Sequence, residues 1–310
     1  MSTTTASTTA TSLAAGRPAI EPAVYTPART SRGLWRDAWR RLLRNRLAVA
    51  GLLFIGFLVL IALLADVLPL PDPTFQFPNS SYARPSAAHL LGSDQVGRDV
   101  LSRLVHGARI SLSVAVFAQA IILLVGLTIG GMAGYFGSRI DNWLMRFTDV
   151  FYAFPDLLFV IIITAALGAS LTNIFLAIGL VNWTNLARLV RGQLMTLRER
   201  DFVTAARSIG APAPRIILQH LLPNAAGPVI VSLTYGIPQA IFTEAVLSFI
   251  GLGVRPPQAS WGTMIQQGNE AIFSAPHLVL FPGITIALTM LAFNFLGDGL
   301  RDALDPQNTR

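Results

Sequence analysis

Long apolar runs that lack charged residues recur along the chain from residue 47 onward. A membrane-spanning helix needs about 20 predominantly apolar residues, because each residue advances the helix by about 1.5 Å across a hydrocarbon core of about 30 Å. Six segments meet this requirement, and together they predict an all-α polytopic membrane protein with six transmembrane helices. They are Leu47–Leu68, Ile110–Met132, Val150–Leu167, Leu171–Val190, Gly227–Leu252 and Leu278–Gly297.

Two of these segments contain residues that interrupt a regular helix. Pro155 lies within the third segment, where proline removes a backbone hydrogen bond and can kink the helix. Only residues 168–170 separate the third segment from the fourth, which predicts a tight hairpin. The fifth segment contains Pro238 and Glu244, so the sequence pattern does not fix how deep this segment lies in the membrane.

The arginines predict which ends of the six helices face the cytoplasm. If the N-terminus is cytoplasmic, 18 of the 23 basic residues fall on inner segments and 5 on outer segments. This is the distribution that the positive-inside rule describes, and the opposite orientation inverts it. We therefore expect both termini on the cytoplasmic side of the membrane.

The chain ahead of the first span has two parts. Residues 1–33 are rich in Ser, Thr and Ala and lack an apolar run, which predicts a disordered cytoplasmic tail; their Arg-bearing, acid-poor composition also suits an organellar transit peptide. Residues 34–46 predict an amphipathic helix in the membrane interface, with its apolar face formed by Trp35, Ala38, Trp39, Leu42 and Leu43. The alternative for this stretch is a cluster of arginines that only sets topology.

Composition excludes several kinds of chemistry. Hydrophobic residues make up 53% of the chain and charged residues 13%, against about 25% charged residues in a soluble domain. Every basic residue is Arg, so no GxxxxGK[ST] nucleotide-binding loop exists and the chain cannot itself be an ATPase. Cysteine is absent and the four histidines are isolated, so we predict no catalytic centre and no metal site. We expect contact with membrane lipid and none with nucleic acid.

The outer loop, residues 69–107, begins with an irregular proline-rich stretch. Asp99 is placed to cap a short helix, Val100–His106, that Gly107 would end. The second outer loop is Gly253–His277. Neither loop is long enough to form a separate domain.

The inner loop between the fourth and fifth spans, residues 192–226, predicts two short helices. Asp201 suits the N-terminal turn of the first helix, and Gly210 suits its C-terminal stop. The second helix would begin near Pro214 and end at Pro223.

Small residues in this inner loop predict a flat surface for another protein. They are Ala205, Ala206 and Gly210, with Arg207 and Arg215 on either side. The alternative is a solvated loop whose arginines only set topology.

Two motifs in this loop resemble the "EAA loop" of permease subunits of ABC importers. They are Ala205-Ala206-Arg-Ser-Ile-Gly210 and, ten residues on, His220-Leu-Leu-Pro223. Thr204 stands where the name-giving Glu would be, and His220 stands where Ile is common. The second departure is similar to the dipeptide, oligopeptide and nickel branch of the family, and residues 89–103, 244–253 and 256–262 agree with that branch.

The resemblance covers residues 35–305 and implies a type I ABC-importer permease fold, of the C type. In this fold one N-terminal helix precedes a five-helix core, here residues 108–300, and a cytoplasmic tail follows at 301–310. The inner loop would be the coupling loop that docks on the ATPase. Its implied docking residues are Asp201, Ala205, Ala206, Arg207, Gly210, Arg215, His220 and Pro223.

The partners that the resemblance implies are a second permease of the B type, two ATPase subunits and an extracytoplasmic substrate-binding protein. ATP and Mg would be bound by the ATPase subunits, and this chain would bind no cofactor. The implied activity is import of dipeptides or oligopeptides across the bacterial plasma membrane by alternating access. Nickel or another small cargo is an alternative within the family, and a stand-alone secondary transporter is an alternative of another class.

Three polar residues within the predicted spans are candidates for the translocation path or its gate: Asp156, Asn182 and Glu244. Ionisable groups in spans usually face a bundle interior or an aqueous cavity. The alternative for Glu244 is a carboxylate that packs helices together by bonding to a neighbouring hydroxyl or Arg, and Asn182 could likewise join helices.

Four glycines in the second span, Gly126, Gly130, Gly131 and Gly134, include small-xxx-small spacings that favour close helix contact. They predict packing within the chain or, alternatively, a seam with a partner permease.

Overall fold

The computed structural model describes residues 34–305, and its architecture is a bundle of helices. The predicted tail at residues 1–33 and the last residues, 306–310, lie outside the described residues. The first helices are α1 (Leu34–Leu42), α2 (Arg46–Leu63), α3 (Val100–Phe136), α4 (Ser138–Tyr152) and α5 (Asp156–Leu167). The later helices are α6 (Leu171–Leu197), α7 (Asp201–Ser208), α8 (Ala213–Arg215), α9 (Leu222–Phe249), α10 (Trp261–Asn269) and α11 (His277–Leu304).

Five of the described helical stretches are long and apolar enough to cross a membrane. They are α2, α3, α6, the continuous stretch Ala213–Phe249 and α11. A sixth crossing exists if α4 and α5, which meet at 80°, form one broken span. The six predicted spans thus correspond to five continuous helical stretches and one bent pair.

The prediction of a single helix over Val150–Leu167 is wrong. The chain leaves the helical path after Tyr152 and resumes it at Asp156, with Pro155 as the N-cap of α5. The reason is local, because the residue before a proline is disfavoured in the helical conformation and Phe154 is that residue. The kink expected at Pro155 is therefore a full break.

The short helix predicted at Val100–His106 is the beginning of α3, which continues for 37 residues. Asp99 does cap it, since its side chain accepts a hydrogen bond from the Ser102 N–H at 2.9 Å. Gly107 does not end the helix. A Cβ at this position would lie 3.2 Å from the Ala259 carbonyl oxygen, so the glycine serves close packing.

The prediction that Pro223 ends the second inner helix is also wrong. Helix α8, a π-helical turn at Ile216–Leu221 and α9 form one continuous stretch through Pro223. The Leu222 N–H donates to the Ile217 carbonyl, five residues back instead of four. This wider turn lets the helix pass the proline, whose missing N–H would otherwise interrupt an α-helical ladder.

Contacts between elements define two ends of the bundle. At one end, which we call the α7 end, the guanidinium of Arg207 lies 5.5 Å from the ring centre of Tyr135 in the last turn of α3. At the other end, the loop end, Arg103 in the first turn of α3 donates to Gln267 of α10 at 2.9 Å. The segment between α2 and α3, residues 64–99, lies at the loop end. Helix α11 runs back to the α7 end and continues to Leu304, so the predicted tail from 301 begins later.

A seam of glycines brings α3 against α6. A Cβ on Gly126 would lie 2.9 Å from the Leu186 Cβ, and one on Gly134 would lie 2.8 Å from the Arg191 carbonyl oxygen. A Cβ on Gly130 would overlap the Ala187 carbonyl. The glycine spacing therefore serves packing within the chain, and the alternative of a seam with a partner permease is wrong for these three positions.

Ion pairs fix α4 to the half of α6 that leads into α7. Arg191 binds Asp141 through two hydrogen bonds, at 2.5 and 2.6 Å. One turn earlier, Arg188 donates to Asp149 at 2.7 Å and covers the ring of Tyr152 at 3.9 Å. The two-point Arg–carboxylate geometry fixes orientation as well as distance.

Helices α1 and α2 pack against α11. Of the apolar face predicted for α1, Ala38 and Leu42 are buried in the bundle, whereas Trp39 and Leu43 are exposed; the Trp35 side chain is outside the described set. A Cβ on Gly51 of α2 would overlap the Ala292 carbonyl of α11, and α1 and α2 together enclose Gly299.

The glycine seam generates a matched pair of substitutions. Gly130→Ala should destabilise the chain by about 1–3 kcal/mol or more, because the methyl group has no space next to the backbone of α6. Gly131→Ala should be tolerated, since its Cβ would meet Leu194 at an ordinary 3.9 Å. Thermal unfolding of the two variants in detergent measures the difference. Equal melting temperatures would show that α3 and α6 do not approach this closely.

Candidate coupling surface and polar residues of the spans

Helix α7 ends in a tight, fully hydrogen-bonded turn. The Gly210 N–H donates to the Arg207 carbonyl at 2.9 Å, and the Ala211 N–H donates to the Ala206 carbonyl at 3.1 Å. This pair of bonds is a Schellman motif, which needs a residue with positive φ at the position after the C-cap. Gly210 occupies that position with φ of 78°. The predicted helix stop at Gly210 thus has a backbone reason.

The two alanines of the coupling motif face different ways. Val203 and Ala206 are buried against the bundle, in one cluster with Ile216 and Leu221. Ala205 is exposed, together with Phe202 and Ile209. Ala206 is therefore not part of the exposed surface predicted for Ala205, Ala206 and Gly210. Its side chain is buried against the bundle and anchors α7.

The exposed side of α7 is an apolar stripe of three residues, Phe202, Ala205 and Ile209. Their spacing of three and four places them on one helical face. Ile209 is 85% exposed. We call Phe202, Ala205 and Ile209 the α7 stripe. Such a contiguous apolar strip on an otherwise polar loop is typical of a protein-binding surface.

Arginines hold α7 and its approach against the end of α3. Arg198 donates to the carbonyls of Gly134 and Tyr135 at 3.2 and 3.5 Å, and it also pairs with Glu199 at 2.9 Å. These carbonyls belong to the last turn of α3, where a cation is favoured by the helix dipole. Arg207 adds a cation–π contact with Tyr135. The α7 stripe is therefore held on a supported helix.

The remaining residues of the predicted coupling loop lie around α7. Asp201 is exposed in the first turn of α7, Arg215 is exposed and donates to Gln219 at 3.1 Å, and Pro223 is exposed. His220 is half-buried, and its carbonyl accepts from Asn224 at 2.6 Å. The structure thus brings the predicted set to one end of the bundle, with Ala206 inside.

Glu244 lies in a fully buried cluster of hydroxyl groups. Its carboxylate accepts from Ser248 at 2.7 Å and from Ser111 of α3 at 3.3 Å. The Ser111 hydroxyl in turn accepts from the backbone N–H of Trp261 at 3.2 Å. This cluster joins α3, α9 and α10, which is the arrangement expected for the packing alternative.

The other two candidate path residues have different surroundings. Asp156 is exposed in the first turn of α5, where a negative charge suits the helix dipole. The Asn182 amide donates to the Ile178 carbonyl of its own helix at 2.9 Å. The structure does not bring Asp156, Asn182 and Glu244 into one cluster. Their role in a translocation path stays a prediction.

The sequence of residues 126–310 matches the model of the family described as binding-protein-dependent transport system inner membrane component. Residues 33–85 match a second model, the N-terminal transmembrane domain of oligopeptide transport permease C. The chain belongs to this permease family.

Three relatives are similar in sequence to this permease over most of its length. The dipeptide transport system permease protein DppC of Alkalihalophilus pseudofirmus is 45% identical over 267 residues, which cover 86% of this chain and 88% of that protein. The oligopeptide transport system permease protein OppC of Bacillus subtilis is 41% identical and covers 85% of this chain and 86% of its own length. The glutathione transport system permease protein GsiD of Pectobacterium atrosepticum is 41% identical, with 86% and 89% covered.

A solved structure shares the fold. The permease is similar to a chain of the MetNI methionine ABC transporter in an inward-facing conformation, with a TM-score of 0.53 at 17% identity. The match covers 66% of this permease and 97% of that chain. The predicted fold class, the predicted family and the role as an ABC-importer permease subunit are confirmed. Membership in this family excludes the stand-alone secondary transporter.

The structure contains a cluster of buried charged residues that was not predicted. At the loop end of the permease, Asp94 is buried between two arginines: it pairs with Arg98 at 2.6 Å and with Arg103. Arg103 also donates to Gln267 of α10, and Arg98 does so at 3.5 Å. The i, i+4 spacing of Asp94 and Arg98 was a local signal, but the contact with Gln267 joins residues more than 160 positions apart.

His89 makes a further buried contact at the loop end of the permease. Its ring lies 3.1 Å from Asp99, the residue that caps α3. The loop is thus tied to the start of α3 and to α10 by buried polar groups. Among residues 34–305, no group of three or more His, Asp or Glu side chains is placed to hold a metal ion.

Substitution of Glu244 distinguishes packing from a role in the path. Glu244→Ala should lower the free energy of unfolding by about 1–3 kcal/mol, because buried hydroxyls of Ser111 and Ser248 lose their acceptor. Glu244→Gln should retain most of this stability, since the amide oxygen still accepts a hydrogen bond. Thermal unfolding and transport are measured on both variants. Unchanged stability of Glu244→Ala together with lost transport would instead assign Glu244 to the path.

The loop-end cluster generates a second prediction. Asp94→Asn should destabilise the permease by about 3–5 kcal/mol, because two buried guanidinium groups lose their counter-charge. Asp72→Asn is the matched control, since Asp72 is exposed and its carboxylate accepts from Thr74 in its own turn, with no arginine partner among residues 34–305. Yield and melting temperature of the purified protein report the difference. Two variants of equal stability would contradict the buried ion pair.

Proposed function

We propose that this chain is the C-type permease subunit of a bacterial ABC importer that carries dipeptides or oligopeptides into the cell. The observation that carries the coupling part of this proposal is the α7 stripe, an exposed apolar surface on a helix supported from behind by Val203 and Ala206. The peptide cargo is supported by the names of the relatives, which are permeases for dipeptides, oligopeptides and glutathione. These names favour peptides over nickel.

The α7 stripe is the proposed docking site for an ATPase subunit. Ile209 and Phe202 would enter an apolar cleft of that partner, with Ala205 allowing close approach between them. Arg207 and Arg215 would lie beside the cleft, and the same end carries Asp201, Gly210, His220 and Pro223. Two ATPase subunits would bind ATP and Mg, one against this permease and one against its partner permease.

The physical connection from α7 to the spans supports this coupling. Helix α7 packs on Ile216 and Leu221 in the π-helical turn, and that turn continues directly into α9. Arg198 and Arg207 connect α7 with the end of α3. Movement of the ATPase pair would therefore reach α3 and α9 together and drive alternating access as a two-state rearrangement.

The proposed contact surface for the second, B-type permease is the face formed by α4 and α5. This face exposes several large apolar side chains, of which Trp143 is 74% exposed. The others are Phe147, Val150, Tyr152, Phe154, Leu158 and Ile162. Asp156 lies on the same broken span, so a seam between the two permeases would place it next to a shared path. Asn182 and Glu244 are further candidates for that path.

The loop end is the proposed contact for an extracytoplasmic substrate-binding protein. The arginine distribution favours the orientation with both termini and α7 in the cytoplasm of the cell. The loop end then faces outward, and the Phe273 side chain, 101% exposed between α10 and α11, extends from it. The ion-paired loop of Asp94 and Arg103 would give the binding protein a fixed surface to land on.

Two neighbouring substitutions test the docking proposal. Ile209→Arg should abolish co-purification of the ATPase subunits and ATP-driven uptake of a labelled dipeptide, because a charge would be buried in the apolar contact. Ser208→Arg is the matched control: Ser208 is also exposed but lies outside the stripe. Both variants should leave the melting temperature of the permease near that of the wild type.

Two results would contradict different parts of the proposal. Retention of the ATPase subunits by Ile209→Arg would remove the α7 stripe as their docking site. Uptake of labelled nickel, without competition from dipeptides, would replace the proposed cargo but leave the docking result intact.

A further inference from the structure

A cavity lies between α2, α3 and α11 close to the loop end. Its volume is about 470 Å³, which is within the range of small-molecule sites. The walls are formed by apolar residues of the three helices and by the stretch Leu68–Leu70, and the indole of Trp261 closes the inner side. It lies apart from the α7 stripe and from the face of α4 and α5.

The two lining residues that carry a hydrogen-bond donor, Trp261 and Thr285, already use it within the protein. The Trp261 indole N–H is already donated to the Leu104 carbonyl at 3.0 Å. The Thr285 hydroxyl is already donated to the Phe281 carbonyl of its own helix at 2.8 Å. An ordered water needs two to four polar partners, and the one acceptor that the Thr285 hydroxyl retains is too few. A peptide is equally unsuited, because each unpaired amide would cost free energy.

The mouth of the cavity opens sideways from the spans. Phe57 of α2 and Leu288 of α11 both line the cavity, and their side chains are 57% and 46% exposed. Both residues lie within membrane-spanning helices. The mouth therefore faces the acyl chains of the bilayer.

The walls are held apart by contacts at both ends of α2. Towards the α7 end, Gly51 packs against the backbone of Ala292. Towards the loop end, Arg109 of α3 donates to the Ala62 and Leu63 carbonyls at 3.0 and 3.3 Å and pairs with Asp66 at 2.9 Å. These contacts cross-link α2 to its neighbours on either side of the opening, so α2 cannot simply collapse into it.

We propose that this cavity binds one acyl chain of a membrane phospholipid from the leaflet at the loop end. An acyl chain matches the three observations above: it is apolar, it needs no hydrogen bond and it enters from the bilayer. A transmembrane helix of another subunit is about 10–12 Å across with its side chains, which is too wide for a cavity of about 470 Å³. The inference stands independently of the proposed cargo and of the ATPase contact.

The bound chain would support a residue of structural importance. Trp261 forms the inner wall of the cavity, and its backbone N–H binds Ser111, which donates to Glu244. An acyl chain against the indole would thus pack directly behind the buried polar cluster that joins α3, α9 and α10. Occupancy would stabilise the same helices that the cluster joins.

Photo-crosslinking tests this site in the intact importer. The permease is purified with its partner subunits and reconstituted in nanodiscs of phosphatidylethanolamine and phosphatidylglycerol. A phosphatidylcholine with a photoactivatable diazirine near the end of one acyl chain is the probe. Peptide mass spectrometry should locate adducts on Leu104 and Val105, which line the cavity and are half-buried and buried, respectively.

A filling substitution and a matched control decide the outcome. Ala108→Phe places a ring in the cavity and should abolish the adducts on Leu104 and Val105. Leu124→Phe, at an exposed position of α3 outside the cavity, should leave them unchanged. If Ala108→Phe fails to assemble with its partners, Leu288→Trp closes the mouth and makes the same distinction.

Two results would overturn the proposal. One is labelling confined to exposed residues of the spans, with none on Leu104 or Val105. The other is cross-linking of those two residues to a partner subunit instead of to the lipid, which would make the cavity part of a protein interface.

Discussion

The close approach of α3 and α6 is the contact on which the rest of the permease depends. Three glycines of α3 allow this close approach: Gly130 and Gly134 meet the backbone of α6, and Gly126 meets the side chain of Leu186. Each helix then carries a different part of the molecule: α3 holds the loop cluster, Ser111 and the turn beneath α7, while α6 holds α4 through arginines and leads into α7. A displacement between these two helices would therefore disturb both ends of the bundle at once.

Charged residues are few in this chain, and the structure concentrates them where helices need fixed orientation. Arg191 and Arg188 orient α4, Arg198 closes the end of α3, and Arg109 closes the end of α2 by binding its last carbonyls. Arg191, Arg198 and Arg109 each donate from more than one guanidinium nitrogen, whereas the donors of a lysine all sit on a single nitrogen. An all-arginine set of cations thus suits a protein whose helix ends must be held at the membrane boundary.

Much of the fold was predictable because the length of an apolar run and the chemistry of a turn are local properties. The span positions, the cap at Asp99 and the stop at Gly210 all depend on neighbouring residues. The burial of Ala206 was not predictable in this way, because the rotation of α7 is set by Arg198 and Arg207 against α3. The hydroxyl surroundings of Glu244 likewise come from three separate elements. The full break at Pro155 exceeded the expected kink because Phe154 is restricted as well.

The π-helical turn at Ile216–Leu221 has a consequence for the geometry of α9. An α-helix advances by about 100° of rotation per residue, and a π turn accommodates one extra residue within the helix. Conversion of this turn to regular α-helix would rotate all of α9, about its own axis, by roughly a quarter of a circle relative to α8. A local change from π-helix to α-helix in this turn would therefore change which face of α9 packs against the neighbouring membrane helices.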